Sequence, residues 1–302
     1  MLKFEDIMLG AERPQEFINE VESGYHSQLE GFADEILSHG GGRKIIALSG
    51  PSGSGKTTTA ALLEKCFGRR GVMATQISLD DFYLGRDMLP LMPNGKPDYE
   101  TVNALNLPLL RGCMNELIDG GTTHIPQFDF MKGTPGDHTR EVRIGGDDIA
   151  IVEGIHAMNP LFVDFLPHEQ LTRLYVSVEE DILTPKGVIT RRDVRLVRRL
   201  TRDFLYRNST PQNTFSLWGG VEHGERNYLF PYKNTADYTI NSIHAYEPCL
   251  FRNVFVGHME QVQPHEEWYS QARRMHDVME QFGSISADRV PESSILREFM
   301  GD

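Results

Sequence analysis

The stretch Gly50-Pro51-Ser52-Gly53-Ser54-Gly55-Lys56-Thr57 constrains this chain more than any other feature. It fits the pattern Gly-x4-Gly-Lys-[Ser/Thr], and it lies between a mostly apolar run at 44–49 and a run at 58–64 that suits a helix. Glycines allow such a turn to wrap a polyphosphate, so that backbone N–H groups point inward at the start of the helix. We therefore predict a site for a nucleoside triphosphate.

The expected phosphate contacts come from this stretch and the residue that follows it. They are Gly50, Ser52, Gly53, Ser54, Gly55, Lys56, Thr57 and Thr58. Lys56 is expected to reach the outer phosphates, and the Thr57 hydroxyl to ligate Mg²⁺.

Length and composition indicate an ordinary soluble protein with one large α/β domain and appendages, or with two small domains. The 302 residues are 39% hydrophobic and 24% charged, and the net charge is −13. This acidic balance disfavours a protein-wide nucleic-acid surface. No apolar run approaches the length of a membrane span. Cys66, Cys113 and Cys249 form no metal pattern, so we expect buried reduced thiols and a cytoplasmic protein.

Apolar runs of strand length alternate with helical patterns from residue 44 to about residue 240. The predicted strands are 44–49, 72–78, 124–130, 148–154, 172–178 and an edge strand at 236–240. This alternation predicts an α/β fold of the P-loop NTPase type, a three-layer sandwich with helices on both faces of a mostly parallel sheet. Ligands are expected at the carboxyl ends of the strands.

Helical patterns extend the chain on both sides of this core. Apolar residues recur at helical spacing from Phe17 to Ile36, which predicts one or two helices ended by the glycines at 40–42. The predicted units are a helical extension at 1–42, a kinase domain at 43–260 with a helical lid at about 185–230, and a helical extension at 261–302. We assign no chemistry to the first extension, which packs on the core or on a dimer partner.

Acidic residues follow two of the predicted strands. Glu153 ends a strand of four apolar residues, and the glycine after it favours a role as a Mg²⁺ ligand beside Thr57 over a solvated carboxylate. Asp80 and Asp81 end the strand next to the P-loop strand. We expect Asp80 to face the cleft as the base for the acceptor hydroxyl and Asp81 to be its structural partner.

An arginine-rich helix is predicted at about 187–206. Its arginines fall mainly along one side, at positions 191, 195, 198, 199 and 202, and Arg207 follows. They form either a solvated face paired with Asp193 and Asp203 or a lid that neutralises charge on the transferred phosphate. We expect the lid role for at least two of them.

Two further positions are candidates for the acceptor pocket. Phe128 and Phe130 flank Asp129 at a strand end, where aromatic rings stack a base or belong to the core. His156 follows Glu153 closely, and it either lines the acceptor pocket or is a hydrogen-bonded histidine at a strand end.

Taken together, these motifs resemble the uridine kinase/phosphoribulokinase family, and most closely its bacterial-type uridine kinase-like branch. The motifs of the family occur here in order as the P-loop, Asp80-Asp81-Phe82-Tyr83, Pro97-Asp98-Tyr99, Phe128-Asp129-Phe130, Val152-Glu153-Gly154 and the arginines at 195–202. The branch is indicated by the stretches at 153–160 and 224–231 and by the tail at 294–299. The resemblance covers roughly residues 43–300.

The resemblance implies transfer of the γ-phosphate of ATP to the 5′-hydroxyl of a pyrimidine nucleoside, with Mg²⁺ held by Thr57 and Glu153. Asp80 matches the carboxylate that faces the acceptor, and Asp98 a residue that holds the ribose hydroxyls. Arg199 matches an arginine that contacts the nucleoside, whereas Arg202 and Arg207 match lid arginines near the phosphates. The partner is thus a small-molecule nucleoside, without nucleic acid or membrane, and a homo-oligomer stays open.

The sequence departs from the uridine-cytidine kinases at Phe128, where they carry tyrosine, at Gly133, where they carry histidine, and at Ser209, where a lid arginine is replaced. Kinases of pantothenate or of a sugar phosphate therefore stay open as alternatives. A GTPase is disfavoured, since no Asn-Lys-x-Asp motif follows the P-loop. A catalytically silent nucleotide-binding module is disfavoured because Lys56, Asp80 and Glu153 are all present.

Overall fold

The computed structural model describes residues 1–39, 42, 44–92, 95–129 and 131–300. Phe130 and most of the glycine joint predicted at 40–42 lie outside these residues. The strands are β1 (Leu2–Lys3), β2 (Ile45–Ser49), β3 (Ala74–Ser78), β4 (Thr122–Asp129), β5 (Thr134–Arg143), β6 (Ile149–Glu153), β7 (Leu171–Ser177), β8 (Ile182–Thr184), β9 (Gly187–Ile189) and β10 (Tyr238–Asn241). The α-helices are α1 (Phe4–Ala11), α2 (Pro14–Ser38), α3 (Lys56–Arg69), α4 (Leu107–Ile118), α5 (Pro160–Val163), α6 (Arg191–Arg207), α7 (Pro211–Gly224), α8 (Glu247–Met259), α9 (Tyr269–Met279) and α10 (Arg297–Met300).

A five-stranded sheet forms the centre of the fold, with the strand order β10-β7-β2-β6-β3 and every pair parallel. All residues of β2 and β6 are buried, as expected for parallel strands covered by helices on both faces. One hydrophobic cluster joins the sheet to α2, α3, α6 and α8, and a second joins its other face to α4 and α5. The predicted three-layer α/β sandwich is confirmed.

The position of β3 corrects one expectation. We predicted that the strand before Asp80 would lie next to the P-loop strand, but β6 lies between β2 and β3. Burial accounts for this order. The residues of β6 are apolar up to Glu153 and suit an inner position, whereas three of the five residues of β3 are only partly buried, which suits the sheet edge.

The predicted strand at 124–130 belongs to a separate hairpin. β4 pairs antiparallel with β5, and these two strands form a sheet of their own. The sequence of β5 is mostly polar and exposed, so no apolar alternation marks it as a strand. A third small sheet joins β1, β8 and β9, whose two or three residues each are too short for a sequence pattern.

Helix α6 begins four residues later than the predicted start, because a capping box fixes its first turn. The Thr190 hydroxyl accepts a hydrogen bond from the N–H of Asp193 at 3.2 Å, and the Asp193 carboxylate accepts one from the N–H of Thr190 at 3.1 Å. Such reciprocal bonds satisfy N–H groups that a helix start leaves without partners. Residues 187–189, which we expected to be helical, form β9 instead.

The N-terminal helix α2 packs on the core of the sheet domain. Its apolar side, including Ile18, Leu29 and Phe32, is buried in the same cluster as α3 and the sheet. The Tyr25 hydroxyl is 2.7 Å from the hydroxyl of Thr59 in α3. Among the described residues, no helix is both long enough and apolar enough to cross a lipid bilayer.

We predict that Leu29→Ala destabilises the whole domain, because Leu29 is completely buried between α2 and the core. The expected loss in the free energy of unfolding is about 2–5 kcal/mol. Leu9→Ala is the matched control, since Leu9 lies in α1 with 62% of its surface exposed, and it should change stability by less than about 0.5 kcal/mol. Denaturant unfolding measures both values, and equal midpoints would show that α2 does not contribute to the core.

Candidate active site

The phosphate-binding loop has the backbone shape that its glycines predict. Gly53 and Gly55 have φ angles of 74° and 87°, in the left-handed region that favours glycine. A Cβ on Gly53 would lie 2.9 Å from the carbonyl oxygen of Arg195, and one on Gly50 would collide with the carbonyl oxygen of Val176. The loop is therefore tightly packed against α6 and β7, and only glycine fits at these positions.

Helix α3 begins at Lys56, directly after the loop. The first N–H groups of a helix have no partner within it, and the helix dipole makes this end positive. Thr57 is exposed there, whereas the Lys56 ammonium donates to the carbonyl of Pro51 at 3.2 Å. The loop and the start of α3 thus form a site that suits an anion.

Two arginines of α6 donate hydrogen bonds to the backbone of the loop. Arg195 donates to the carbonyl of Ser52 at 3.0 Å, and Arg198 donates to the carbonyl of Gly53 at 3.1 Å. Each also forms a bidentate pair with a buried carboxylate, Glu225 for Arg195 and Glu247 for Arg198. Both guanidinium groups are buried, so they stabilise the loop and lie away from the solvent.

Ser52 has a partner at each of its polar groups. Its N–H donates to Glu225 at 2.8 Å, its carbonyl accepts from Arg195, and its hydroxyl accepts from Arg199 at 3.1 Å. Ser54 is fully buried, and within the described ranges its hydroxyl has no hydrogen-bond partner.

A cleft of about 450 Å³ opens in front of the loop. The predicted site residues that line it are Ser52, Gly53, Gly55, Lys56, Thr57, Thr58, Asp80, Glu153, Arg199, Arg202 and Arg207. The β-strand ends and α6 therefore bring together the residues from four separate parts of the chain. Gly50, Ser54, Asp98, Phe128 and His156 are not among the described residues that line this cleft, and Phe130 lies outside the described residues.

The two acidic candidates face the cleft from the ends of β3 and β6. Glu153 is 4% exposed and accepts a hydrogen bond from the Ser78 hydroxyl at 2.8 Å. Asp80 is exposed to solvent in the cleft, although protein atoms crowd around its carboxyl group. Burial raises the pKa of both carboxyl groups, and the nearby Lys56 ammonium opposes that rise.

Asp81 supports the neighbouring hairpin. Its carboxylate accepts the N–H of Phe128 at 3.3 Å. The ring of Phe128 lies 6.0 Å from that of Tyr83, in an edge-to-face arrangement. Because Tyr83 lines the cleft, Phe128 lies behind the cleft wall.

Asp98 and His156 lie beside the cleft around Tyr228. The Tyr228 hydroxyl donates to Asp98 at 3.1 Å, and its ring lies 6.2 Å from that of His156. His156 is 1% exposed, and burial lowers its pKa to about 4, so the ring is neutral. The backbone of Glu100 lies close to the ring and opposes this fall in pKa, although within the described ranges neither ring nitrogen has a partner of full hydrogen-bond geometry.

Three arginines of α6 line the cleft and share Asp203. Arg199, Arg202 and Arg207 lie 3.4, 3.2 and 3.4 Å from its carboxylate. Arg191 lies on the outer side, paired with Glu179 and Asp181. The arginine stripe of the sequence thus divides into buried, cleft-lining and outer members.

Four polar residues among those that line the described cleft were not assigned a role from the sequence. Tyr83, Glu225 and Glu298 belong to motifs that carried the family resemblance, and Glu100 belongs to the loop at 84–103. Burial raises the pKa of Glu100 to about 7, although the Arg199 charge opposes this shift. A carboxyl group that is partly protonated at neutral pH and a phenol thus lie in the cleft beside Asp80.

A sequence model of the Phosphoribulokinase / Uridine kinase family matches residues 45–247. This chain belongs to that family. The matched residues hold the P-loop, Asp80, Glu153 and the arginines of α6. Membership confirms the family that the motifs resemble and, with it, the prediction of a P-loop kinase.

Individual proteins that are similar to this chain include uridine kinases and a kinase of known structure. A uridine kinase from Deinococcus deserti is 27% identical over 207 residues, which is 68% of this chain and 91% of the relative. A uridine kinase from Lactobacillus helveticus is 27% identical over 194 residues, or 64% of this chain and 83% of the relative. A crystal structure of a candidate fructose transport system kinase from Silicibacter sp. TM1040 has a TM-score of 0.51 and 22% identity, and it covers 70% of this chain and 98% of its own. That structural likeness supports the fold of the family.

We predict that Arg198→Met destabilises the protein by about 3–5 kcal/mol, because it leaves the buried carboxylate of Glu247 without its cation. Arg207→Gln is the control within the same helix. Its side chain is 58% exposed, so the free energy of unfolding should change by less than about 1 kcal/mol. Chemical denaturation of both variants measures the difference, and a similar loss in both would show that burial does not distinguish the two arginines.

Proposed function

We propose that this chain is a kinase that transfers the γ-phosphate of ATP to the 5′-hydroxyl of a pyrimidine nucleoside, uridine or cytidine, with Mg²⁺ as cofactor. The observation that carries the proposal is the cleft in which Lys56, Asp80 and Glu153 meet the phosphate-binding loop. The relatives named uridine kinase, which this chain matches over most of their length, support the choice of acceptor. The three free, buried cysteines suit the reducing cytoplasm, where we place the protein.

The loop and the start of α3 would bind the phosphates of ATP. Their N–H groups and the positive end of the helix suit an anion, and Lys56 adds a cation that can leave the carbonyl of Pro51 for a phosphate oxygen. Gly53, Gly55, Thr57 and Thr58 line the same cleft. Ser52 lines it as well, whereas Gly50 and Ser54 would act indirectly, since they give the loop its shape.

The donor set fits Mg²⁺. This ion prefers oxygen ligands and uses few carboxylates, and Thr57 and Glu153 offer a hydroxyl and a carboxylate in one cleft. The Ser78 hydroxyl orients Glu153. Thr57 and Glu153 would therefore hold the ion, which would neutralise negative charge on the transferred phosphate.

Asp80 would accept the proton of the acceptor hydroxyl. The raised pKa of its carboxyl group makes it a better base than an ordinary solvated aspartate. As the hydroxyl oxygen bonds to the γ-phosphorus, its proton passes to Asp80, and the bond between the β,γ-bridging oxygen and the γ-phosphorus breaks to release ADP. The Lys56 ammonium stabilises the negative charge that develops on the phosphates.

Arg202 and Arg207 would contact the transferring phosphate, and Arg199 the nucleoside. All three line the cleft, and each forms an ion pair with the Asp203 carboxylate. Guanidinium groups in such positions stabilise the charge of phosphoryl transfer. We also propose that the segment at about 185–230 closes as a lid, which would exclude water from the reaction.

The acceptor would lie on the side of Asp80, Tyr83 and Glu100. Asp98 and its partner Tyr228 would bind the ribose hydroxyls, with His156 beside them, and Phe128 and Phe130 would support the base. The acidic groups on this side, Asp80 and Glu100, disfavour a phosphorylated acceptor, because they would repel its phosphate and Arg199 would offset that repulsion only in part. A catalytically silent nucleotide-binding module is disfavoured as well, because Lys56, Asp80 and Glu153 all line the cleft.

The base contacts differ from those that the family resemblance implies. Gly133 has a φ of 69°, and the Arg86 side chain fills the space that a side chain at 133 would occupy. The histidine of uridine-cytidine kinases therefore does not fit here without a shift of Arg86.

The acceptor is identified by ATP consumption in the presence of Mg²⁺ with one compound at a time. The panel contains uridine, cytidine, thymidine, adenosine, guanosine, pantothenate, ribulose 5-phosphate and no acceptor, and product masses are recorded. We expect a rate that depends on uridine or cytidine and a nucleoside monophosphate as product. A response to pantothenate or ribulose 5-phosphate alone would contradict the proposed acceptor, and no rate above background would contradict the activity.

We predict that Asp80→Asn lowers kcat by about 10²–10⁴-fold while ATP–Mg²⁺ binding persists, because it removes only the proton acceptor. Lys56→Ala should weaken both turnover and ATP binding. Asp119→Asn, at the exposed end of α4, is the control and should behave like the wild type. Steady-state kinetics and calorimetry measure the two effects, and normal turnover by Asp80→Asn would remove Asp80 from the mechanism.

A further inference from the structure

The C-terminal tail packs against the phosphate-binding loop. Ile295, Leu296 and Phe299 are completely buried, and the guanidinium of Arg198 lies 5.4 Å from the centre of the Phe299 ring. Ile295 covers Gly55, where its Cδ1 would be 3.2 Å from an added Cβ. The tail backbone is therefore a fixed part of the wall around the loop.

A second set of contacts joins the tail to the N-terminal helix. The Ser294 hydroxyl is 3.4 Å from the hydroxyl of Tyr246, which in turn donates to Glu22 of α2 at 2.5 Å. These groups are all buried. The position of α10 next to the loop thus depends on packing from both ends of the chain.

This packing brings one carboxylate into the cleft. Glu298 accepts a hydrogen bond from the hydroxyl of Thr58 at 2.8 Å, and it lies 3.9 Å from the guanidinium of Arg202. Thr58 belongs to the first turn of α3, where a negative charge is stabilised by the helix dipole. Glu298 therefore occupies the surroundings that suit a phosphate.

We propose that Glu298 belongs to the nucleotide site and competes with the phosphates of ATP for Thr58 and Arg202. The proposal rests on ATP as the ligand of this cleft, as proposed above. Two anions that share a hydroxyl and a guanidinium repel each other, most strongly where protein excludes water. When ATP binds, the carboxylate must release these partners.

The side chain can move without the tail. The Glu298 side chain is 24% exposed and has rotatable bonds, whereas its neighbours Ile295, Leu296 and Phe299 are fixed in the core. In the free protein, Glu298 holds Thr58 and Arg202 in place. In the complex, it turns away from the phosphates and gives up both partners, which lowers the affinity for ATP.

The test is the dissociation constant of ATP–Mg²⁺ without acceptor, measured by calorimetry on the full chain. Glu298→Gln should lower this constant by about tenfold, because it removes the competing charge and the repulsion. Glu298→Ala should change it in the same direction. Glu292→Gln is the matched control in the same tail, since the Glu292 side chain is 94% exposed, and it should leave the constant unchanged.

Inorganic triphosphate as a second probe shows whether the effect lies at the phosphates, and it should bind more tightly to Glu298→Gln as well. An unchanged or larger dissociation constant for both Glu298 variants would overturn the proposal. If the wild type binds ATP but phosphorylates no nucleoside, the proposed acceptor is wrong. The ratio of the ATP dissociation constants of the wild type and the Glu298 variants still decides the role of Glu298. A wild type that binds no ATP would overturn both.

Discussion

The hydrogen bonds from Arg195 and Arg198 to the backbone of the phosphate-binding loop are the interactions on which the site depends. Within the part of the chain that the structure describes, the loop carbonyls of Ser52 and Gly53 accept no backbone hydrogen bond, so they need side-chain donors from elsewhere in the fold. Two buried arginines supply them, and Glu225 and Glu247 balance the buried charge. Because α6 provides both arginines, the helix and the loop are fixed relative to each other.

The same helix carries the arginines that face the cleft. Neighbouring positions of α6 therefore have different roles. Arg198 is buried against the loop, whereas Arg199 and Arg202 line the cleft in which we place the nucleoside and the phosphates. The Asp203 carboxylate limits the repulsion among the cleft arginines. Any motion of α6 as a lid would have to preserve or exchange the contacts to the loop, which places a physical limit on how the segment closes.

Features that depend on local sequence were predictable, and those that depend on distant partners were not. Adjacent residues predict the P-loop, β2 and β6. The order of strands and helices predicts that the site lies at the carboxyl ends of the strands. The spacing of the arginines in the sequence could not show that Arg198 is buried whereas Arg199 lines the cleft. The burial of Arg198 depends on Glu247 and Gly53, which are far away in the chain. Glu298 reaches Thr58 across 240 residues, and β5 has no apolar alternation, so neither had a local signal.

The measurement that tests the central claim most directly follows a label from ATP to the acceptor. The wild-type protein is incubated with Mg²⁺, uridine and ATP that carries ³²P at the γ-position, and the products are separated. We expect ³²P in uridine 5′-monophosphate, formed in equal amount to ADP, and little in inorganic phosphate. Label that stays in ATP, or that passes only to inorganic phosphate, would contradict phosphoryl transfer from this cleft to uridine.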